Sequence, residues 1–173
     1  MAKITDNNNI FSIGNYIVDY ENIYIITGQK EQADFSGKTM TYFLYEPINK
    51  ENSKATYSIP IDNILKSGFR PLISQDIAKK LYQIAEEKID PETIFDFKAI
   101  KETIYENNPE KNLHIVKRLF LEKENTIHKF SGISQDIIDS TLKHLSDEIA
   151  FVTKESSEKI KDKLISLIQK SIK

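Results

Sequence analysis

The stretch Tyr57-Ser58-Ile59-Pro60-Ile61-Asp62-Asn63-Ile64-Leu65-Lys66-Ser67-Gly68-Phe69-Arg70-Pro71-Leu72-Ile73-Ser74 is where the chain changes its period. Before Pro60 the apolar residues follow a strand pattern, and Pro60, which has no N–H to give to a ladder, ends the pairing. Asp62 or Asn63 can cap a single turn, and Gly68 supplies a position that tolerates positive φ. Pro71 keeps its predecessor out of helical backbone, so the next helix starts at Ser74. One segment thus closes a β region and opens an α region, which makes the chain α+β.

Upstream, segments rich in Ile, Tyr, Thr and Phe predict strands at Asn15 to Tyr20, Asn22 to Lys30, Thr39 to Glu46 and Ala55 to Ile61. Residues 34–38 and 49–53 read as the hairpin loops between them. Four or five short strands in about 60 residues leave too little chain for two stacked sheets. A small closed or nearly closed barrel of the SH3-like or Tudor-like kind is the economical way to remove the edges, and residues 10–73 are assigned to it.

Downstream, residues 74–173 read as five helices in a bundle. Ile77, Leu81 and Ile84 share one face behind the Ser74 cap. Asp90-Pro91-Glu92 and Asn108-Pro109-Glu110 each combine a capping side chain, a Pro at the first helical position and an acid in the first turn. The helices they open carry Ile94, Phe97, Ile100 and Ile104, then Leu113, Val116 and Phe120. Ser134 is read as the start of a fourth helix, with Ile138, Leu142, Leu145, Ile149 and Val152 on one face. Ser156 or Ser157 starts a fifth, with Ile160, Leu164, Leu167 and Ile168. Ile73-Ser74-Gln75-Asp76-Ile77 recurs as Ile133-Ser134-Gln135-Asp136-Ile137 without matching flanks, which reads as one helix start used twice.

The 173 residues include no Cys and no Trp, and 24 Lys plus Arg against 26 Asp plus Glu. That excludes a disulfide scaffold, a thiolate metal site and a strongly basic coat. No apolar run approaches a membrane span, and Met1 to Asn9 lacks the layout of a signal peptide, so a cytoplasmic location is expected. The five glycines, Gly14, Gly28, Gly37, Gly68 and Gly132, form no phosphate loop. His114, His128 and His144 have no metal-ligand spacing and read as surface or half-buried helix residues. Neighbouring acids such as Glu86-Glu87 and Glu122/Glu124 lie in Lys-rich helical stretches, where solvated pairing is the common use. No residues nominate themselves for catalysis, so neither an enzyme nor a cofactor, metal or small-molecule substrate is expected.

Residues 91–173 carry 14 cations and 14 anions, and residues 1–90 carry 10 and 12. Only Arg70 and Arg118 are arginines, which argues against base reading by bidentate Arg. A local patch remains: Lys98 and Lys101 on the second helix with His114, Lys117, Arg118 and Lys123 on the third, beside Phe95, Phe97 and Phe120. Either these lysines cover an amphipathic helix while the rings fill the core, or Phe95, Phe97, Lys98, Lys101, Lys117 and Arg118 touch nucleic acid.

Residues 57–74 resemble the end of the RNA-polymerase-interacting domain of the bacterial CarD family: hydrophobic-Pro, an acid-Asn pair, a short helical step, Gly-hydrophobic-Arg-Pro and a helix starting at Ser. Phe11-Ser12-Ile13-Gly14-Asn15-Tyr16-Ile17-Val18 is similar to that family's opening. Ile115-Val116-Lys117-Arg118-Leu119 and Leu145-Ser146-Asp147-Glu148-Ile149-Ala150 are similar to its helical half. Transcription-repair coupling factors share the barrel but carry helicase motifs that are absent here. The chain departs from the family in having Asp19-Tyr20-Glu21-Asn22-Ile23 in place of a tyrosine-Pro-x-His-Gly run, Ser58 at a basic position, and no Trp. The resemblance implies a transcription regulator. Its barrel would bind the RNA polymerase β subunit through strand edges, with Ile26, Lys30, Tyr57 and Ser58 as contact residues. Its helical domain would rest weakly, without sequence specificity, on promoter DNA and modulate open-complex stability, with Phe95 or Phe97 in the place of the missing Trp. A second reading keeps the fold and makes the chain a protein-only adaptor without DNA contact.

Overall fold

The computed structural model describes residues 10–33, 36–49, 55–89, 97–124 and 130–172; for Phe97, Lys98, Ala99 and Lys101 it describes the backbone alone. The expected loop residues 34, 35 and 50–53, the Asp90-Pro91-Glu92 start, Ile94, Phe95 and His128 lie outside the described residues. The chain divides into two compact units, residues 1–72 and 73–173.

The first unit is a curled five-strand antiparallel sheet. Its strands are β1 (Tyr16–Val18), β2 (Ile23–Ala33), β3 (Thr39–Pro47), β4 (Tyr57–Pro60) and β5 (Arg70–Pro71). Their order is β4-β3-β2-β1-β5. Among the described residues β4 and β5 do not pair with each other, so the curl stops short of closure. The connection between them is a 3-10 turn, Ile61–Asn63, followed by Gly68 at φ +79°. Pro60 stands at the head of that turn with no side-chain cap, so neither Asp62 nor Asn63 caps it. Ile64 and Phe69 fold inward from this connection onto Phe11, Ile17, Tyr24, Ile26, Phe43 and Ile59.

β2 is much longer than β1, and a register shift between Ile26 and Gly28 divides it. Tyr24 and Ile25 pair with both β1 and β3, whereas residues 28–33 pair with β3 alone. The two halves of one strand therefore have different neighbours.

The second unit contains α1 (Gln75–Glu86), α2 (Phe97–Tyr105), α3 (Pro109–Glu124), α4 (Gly132–Thr153) and α5 (Ser157–Ser171). Ser74 Oγ accepts the Ile77 N–H at 3.2 Å, and Asn108 Oδ1 accepts from Glu110 and Lys111, both at 3.0 Å, so both caps form where the sequence places them. The fourth helix starts earlier than expected. Ser131 is its N-cap, its Oγ accepting the Ser134 N–H at 3.0 Å, and Ser134 is buried inside the first turn. The repeated pentapeptide is thus a cap at Ser74 and an interior turn at Ser134, because Ser131 offers the same chemistry three residues sooner. α5 follows Ser156, which makes no side-chain cap bond; Ser157 Oγ instead donates to Asp147 Oδ1 at 2.5 Å.

The core of this unit joins Leu81 and Ile84 of α1, Leu113, Val116 and Leu119 of α3, Leu142, Leu145 and Ile149 of α4, and Leu164 and Ile168 of α5. Ile73 belongs here and not to the sheet: it is buried in this cluster, and its N–H donates to the fully buried Glu148 at 2.9 Å. Among the described residues no helix is long and apolar enough to cross a membrane.

Candidate functional site

In the first unit the candidate site is set by the ends of the sheet. β4 is a terminal strand, joined to β3 through Tyr42↔Pro60, Phe43↔Ile59, Leu44↔Ser58 and Tyr45↔Tyr57. Its other edge carries no strand among the described residues. Such an edge presents backbone donors and acceptors that another chain can complete. Tyr57 (42% exposed) and Ser58 lie exposed on it.

Tyr57 is held by a ring cluster. It stacks on Tyr45 with centroids 5.6 Å apart, and its edge meets Tyr24 at 6.3 Å. Tyr24, Tyr45 and Phe69 close on one another edge-to-face at 5.2 to 5.8 Å. Tyr24 donates its hydroxyl proton to Asp19 Oδ2 at 2.9 Å, while Asp19 Oδ1 accepts the N–H groups of Glu21 and Asn22. Burial, and then the Asp19 carboxylate, push the Tyr24 phenol well above its ordinary range, so it stays a neutral donor. Burial likewise raises Tyr45. The Asp19-to-Asn22 turn that stands where the family resemblance expects Pro-x-His-Gly is therefore stapled by a carboxylate instead of by a glycine.

Two of the four residues named for polymerase contact are placed differently from this edge. Ile26 is fully buried, and both its main-chain groups are engaged, N–H to Asn15 O at 3.0 Å and C=O from Gly14 N at 2.8 Å. It is a core residue of a central strand segment and offers a partner nothing. The sequence misled because Ile23-Tyr24-Ile25-Ile26 is apolar throughout, which hides the alternation, and the register shift changes the phase immediately afterwards. Lys30 is exposed, but on the half of β2 that faces away from β4 in strand order, with its ammonium 5.7 Å from the Tyr42 ring centroid.

Of the proposed nucleic-acid set, the side chains of Lys117 and Arg118 are described, and neither stands free on the surface. Lys117 is 2% exposed, and its ammonium donates to Ile84 O and to Glu87 O at the end of α1. It satisfies carbonyls that a helix C-terminus leaves without intrahelical donors. Burial lowers its pKa, and the nearby Glu87 offsets part of that. Lys117 is thus a brace between α3 and α1, and cannot be a phosphate contact. Arg118 has only 18% of its side chain exposed, with Nε 3.8 Å from the Glu122 carboxylate four residues on. Phe120 is buried in the core, as the amphipathic-helix alternative requires. Lys98 and Lys101 are positions on α2, as is Phe97, and Phe95 lies outside the described residues.

Sequence reasoning missed two things in the helical unit. Glu148 is fully buried and holds the Ile73 N–H, and its spacing of three from Leu145 was the available signal for an inward position. His144, read as a surface or half-buried helix residue, is buried at 8% exposure. His114 is exposed, in line with its reading.

Neither the protein-family models nor the curated proteins compared with this chain match it.

Proposed function

We propose that this chain is a non-enzymatic, cytoplasmic transcription regulator of CarD-like type, whose first unit is an SH3/Tudor-like barrel that docks on the β subunit of RNA polymerase. The observation that carries this reading is the open edge of β4, with Tyr57 and Ser58 exposed along it in the segment that resembles the polymerase-interacting domain. The meander order with a 3-10 turn ahead of the last strand supports the barrel assignment. Strand addition there supplies main-chain hydrogen bonds, and an exposed Tyr backed by other rings is the type of side chain that dominates small interfaces. The helical unit would then modulate promoter open-complex stability, with Lys98 and Lys101 as the remaining candidates for weak DNA contact.

The second reading, a protein-only adaptor, is supported by the burial of Lys117 against α1 and the pairing of Arg118 with Glu122, which leave fewer cations for DNA. The two readings share the docking edge and part at DNA. Binding of the full chain to the isolated β lobe tests the shared part; loss of binding in Tyr57→Ala and Ser58→Asp is expected, and no binding by the wild type overturns it. Anisotropy with a forked promoter duplex separates the rest. Affinity that falls with salt and with Lys98→Glu supports the regulator, and no binding at low salt supports the adaptor.

A further inference from the structure

The sheet unit holds a cleft of about 300 Å³, lined by Phe11, Phe43, Ile61, Ile64 and Leu65, with Gln29 and Asp62 also lining it. That volume is at the bottom of the range for small-molecule sites, roughly 300 to 1,000 Å³, and suits one apolar side chain better than a whole ligand. The walls are fixed, since Phe11, Phe43 and Ile64 are core residues of the unit, whereas Leu65 is 64% exposed at the cleft.

Gln29 ties the cleft to a backbone feature. It lies opposite Phe43 in the β2–β3 register, so the two side chains share a face of the sheet. Gln29 also belongs to residues 28–33, the half of β2 that has β3 on one side and, among the described residues, no strand on the other. A strand added along this edge would put every second side chain on the face where the cleft lies. One such side chain would enter the apolar pocket, and the next on the same face would stand near its rim, where Asp62 supplies a carboxylate.

We propose that this cleft and edge form a second docking site, which takes an extended peptide segment of another protein carrying an apolar residue followed, two positions on, by Lys or Arg. The occupant is a peptide because the pocket adjoins a backbone edge, and it is basic because the charged group lining the pocket is acidic. The site is at the other side of the strand order from β4 and does not rest on the polymerase reading.

The test is selection from a library of random linear peptides on the full chain and, in parallel, on the double variant Asp62→Lys, Leu65→Glu. Both substituted side chains are exposed, and an unchanged thermal melt verifies that the variant folds. The expected result is an apolar-x-basic consensus enriched on the wild type alone. A selected peptide should bind about tenfold more weakly to Asp62→Lys, and lose binding when its backbone is N-methylated at alternate residues, which keeps the side chains but removes the ladder donors. No consensus above the double variant, an acidic consensus, or full binding by the N-methylated peptide would each overturn the proposal. β-lobe binding that survives in the double variant keeps this result separate from the polymerase docking.

Discussion

The two units of this chain use their polar groups in opposite directions. Among the described residues the sheet unit leaves main-chain edges without a strand at β4 and along residues 28–33 of β2, and a ring pair, Tyr45 and Tyr57, stands at the β4 edge. The helical unit turns polar side chains inward to finish its own backbone: Lys117 on the last carbonyls of α1, Glu148 on the Ile73 N–H, Ser131 and Asn108 on helix starts. The difference follows from the elements. A short meander that does not close has unsatisfied groups along its length, whereas a helix has them only at its ends, within reach of a side chain from a neighbour. A lysine packed against such an end, as Lys117 of α3 is against the end of α1, is engaged by the fold itself.

The largest effects are expected in the two cores. Ile26→Ala should cost about 2–5 kcal/mol in the sheet unit, and Leu164→Ala a similar amount in the helical unit. Thermal melts followed by tyrosine near-UV signal and by helical far-UV signal should show each substitution acting on its own unit's transition. A single shared shift for both would mean that the units do not differ in the way described.

Lys117→Met keeps the aliphatic stem and removes the ammonium, leaving two carbonyls without their donor. We expect a loss of about 1–3 kcal/mol of stability, read by urea denaturation, with no change in DNA association at low salt. Because burial lowers the Lys117 pKa in the folded protein, its contribution is most favourable above the unfolded value of about 10.5 and falls off as pH drops through the folded pKa. The gap between wild type and variant should therefore widen as pH rises from neutral toward 10.5.

Tyr24→Phe removes the bond to Asp19 and should cost about 1 kcal/mol at pH 7. The sign here is the reverse. A phenol raised in the folded state stabilises below its unfolded pKa of about 10.0, and that stability is lost as pH climbs above it. The gap between wild type and Tyr24→Phe should shrink above pH 10.

The smallest effect concerns the repeated pentapeptide. Ser131→Ala should destabilise α4 by about 1 kcal/mol, and Ser134→Ala by less, since the cap acceptor is Ser131. The reverse order in amide hydrogen exchange at the start of α4 would restore the sequence assignment.

The order of elements was legible in the sequence because the period changes once, across residues 57–74, and because Ser74 and Asn108 cap where their chemistry points. Ile26 was misread because four consecutive apolar residues and a register shift erase the alternation that tells inside from outside. Lys117 was misread because a cation on an amphipathic helix has the same spacing whether it faces solvent or the end of a neighbouring helix. The cleft was invisible because its lining residues are far apart in sequence, from Phe11 to Leu65, and no local spacing brings them together.

Docking at the β4 edge is tested most directly by titration of the full chain against the isolated polymerase β lobe by calorimetry. Micromolar binding that drops at least about tenfold in Tyr57→Ala, and likewise in Ser58→Asp, is the result expected for strand addition at that edge. No binding by the wild type, or binding unchanged in both variants, would contradict it.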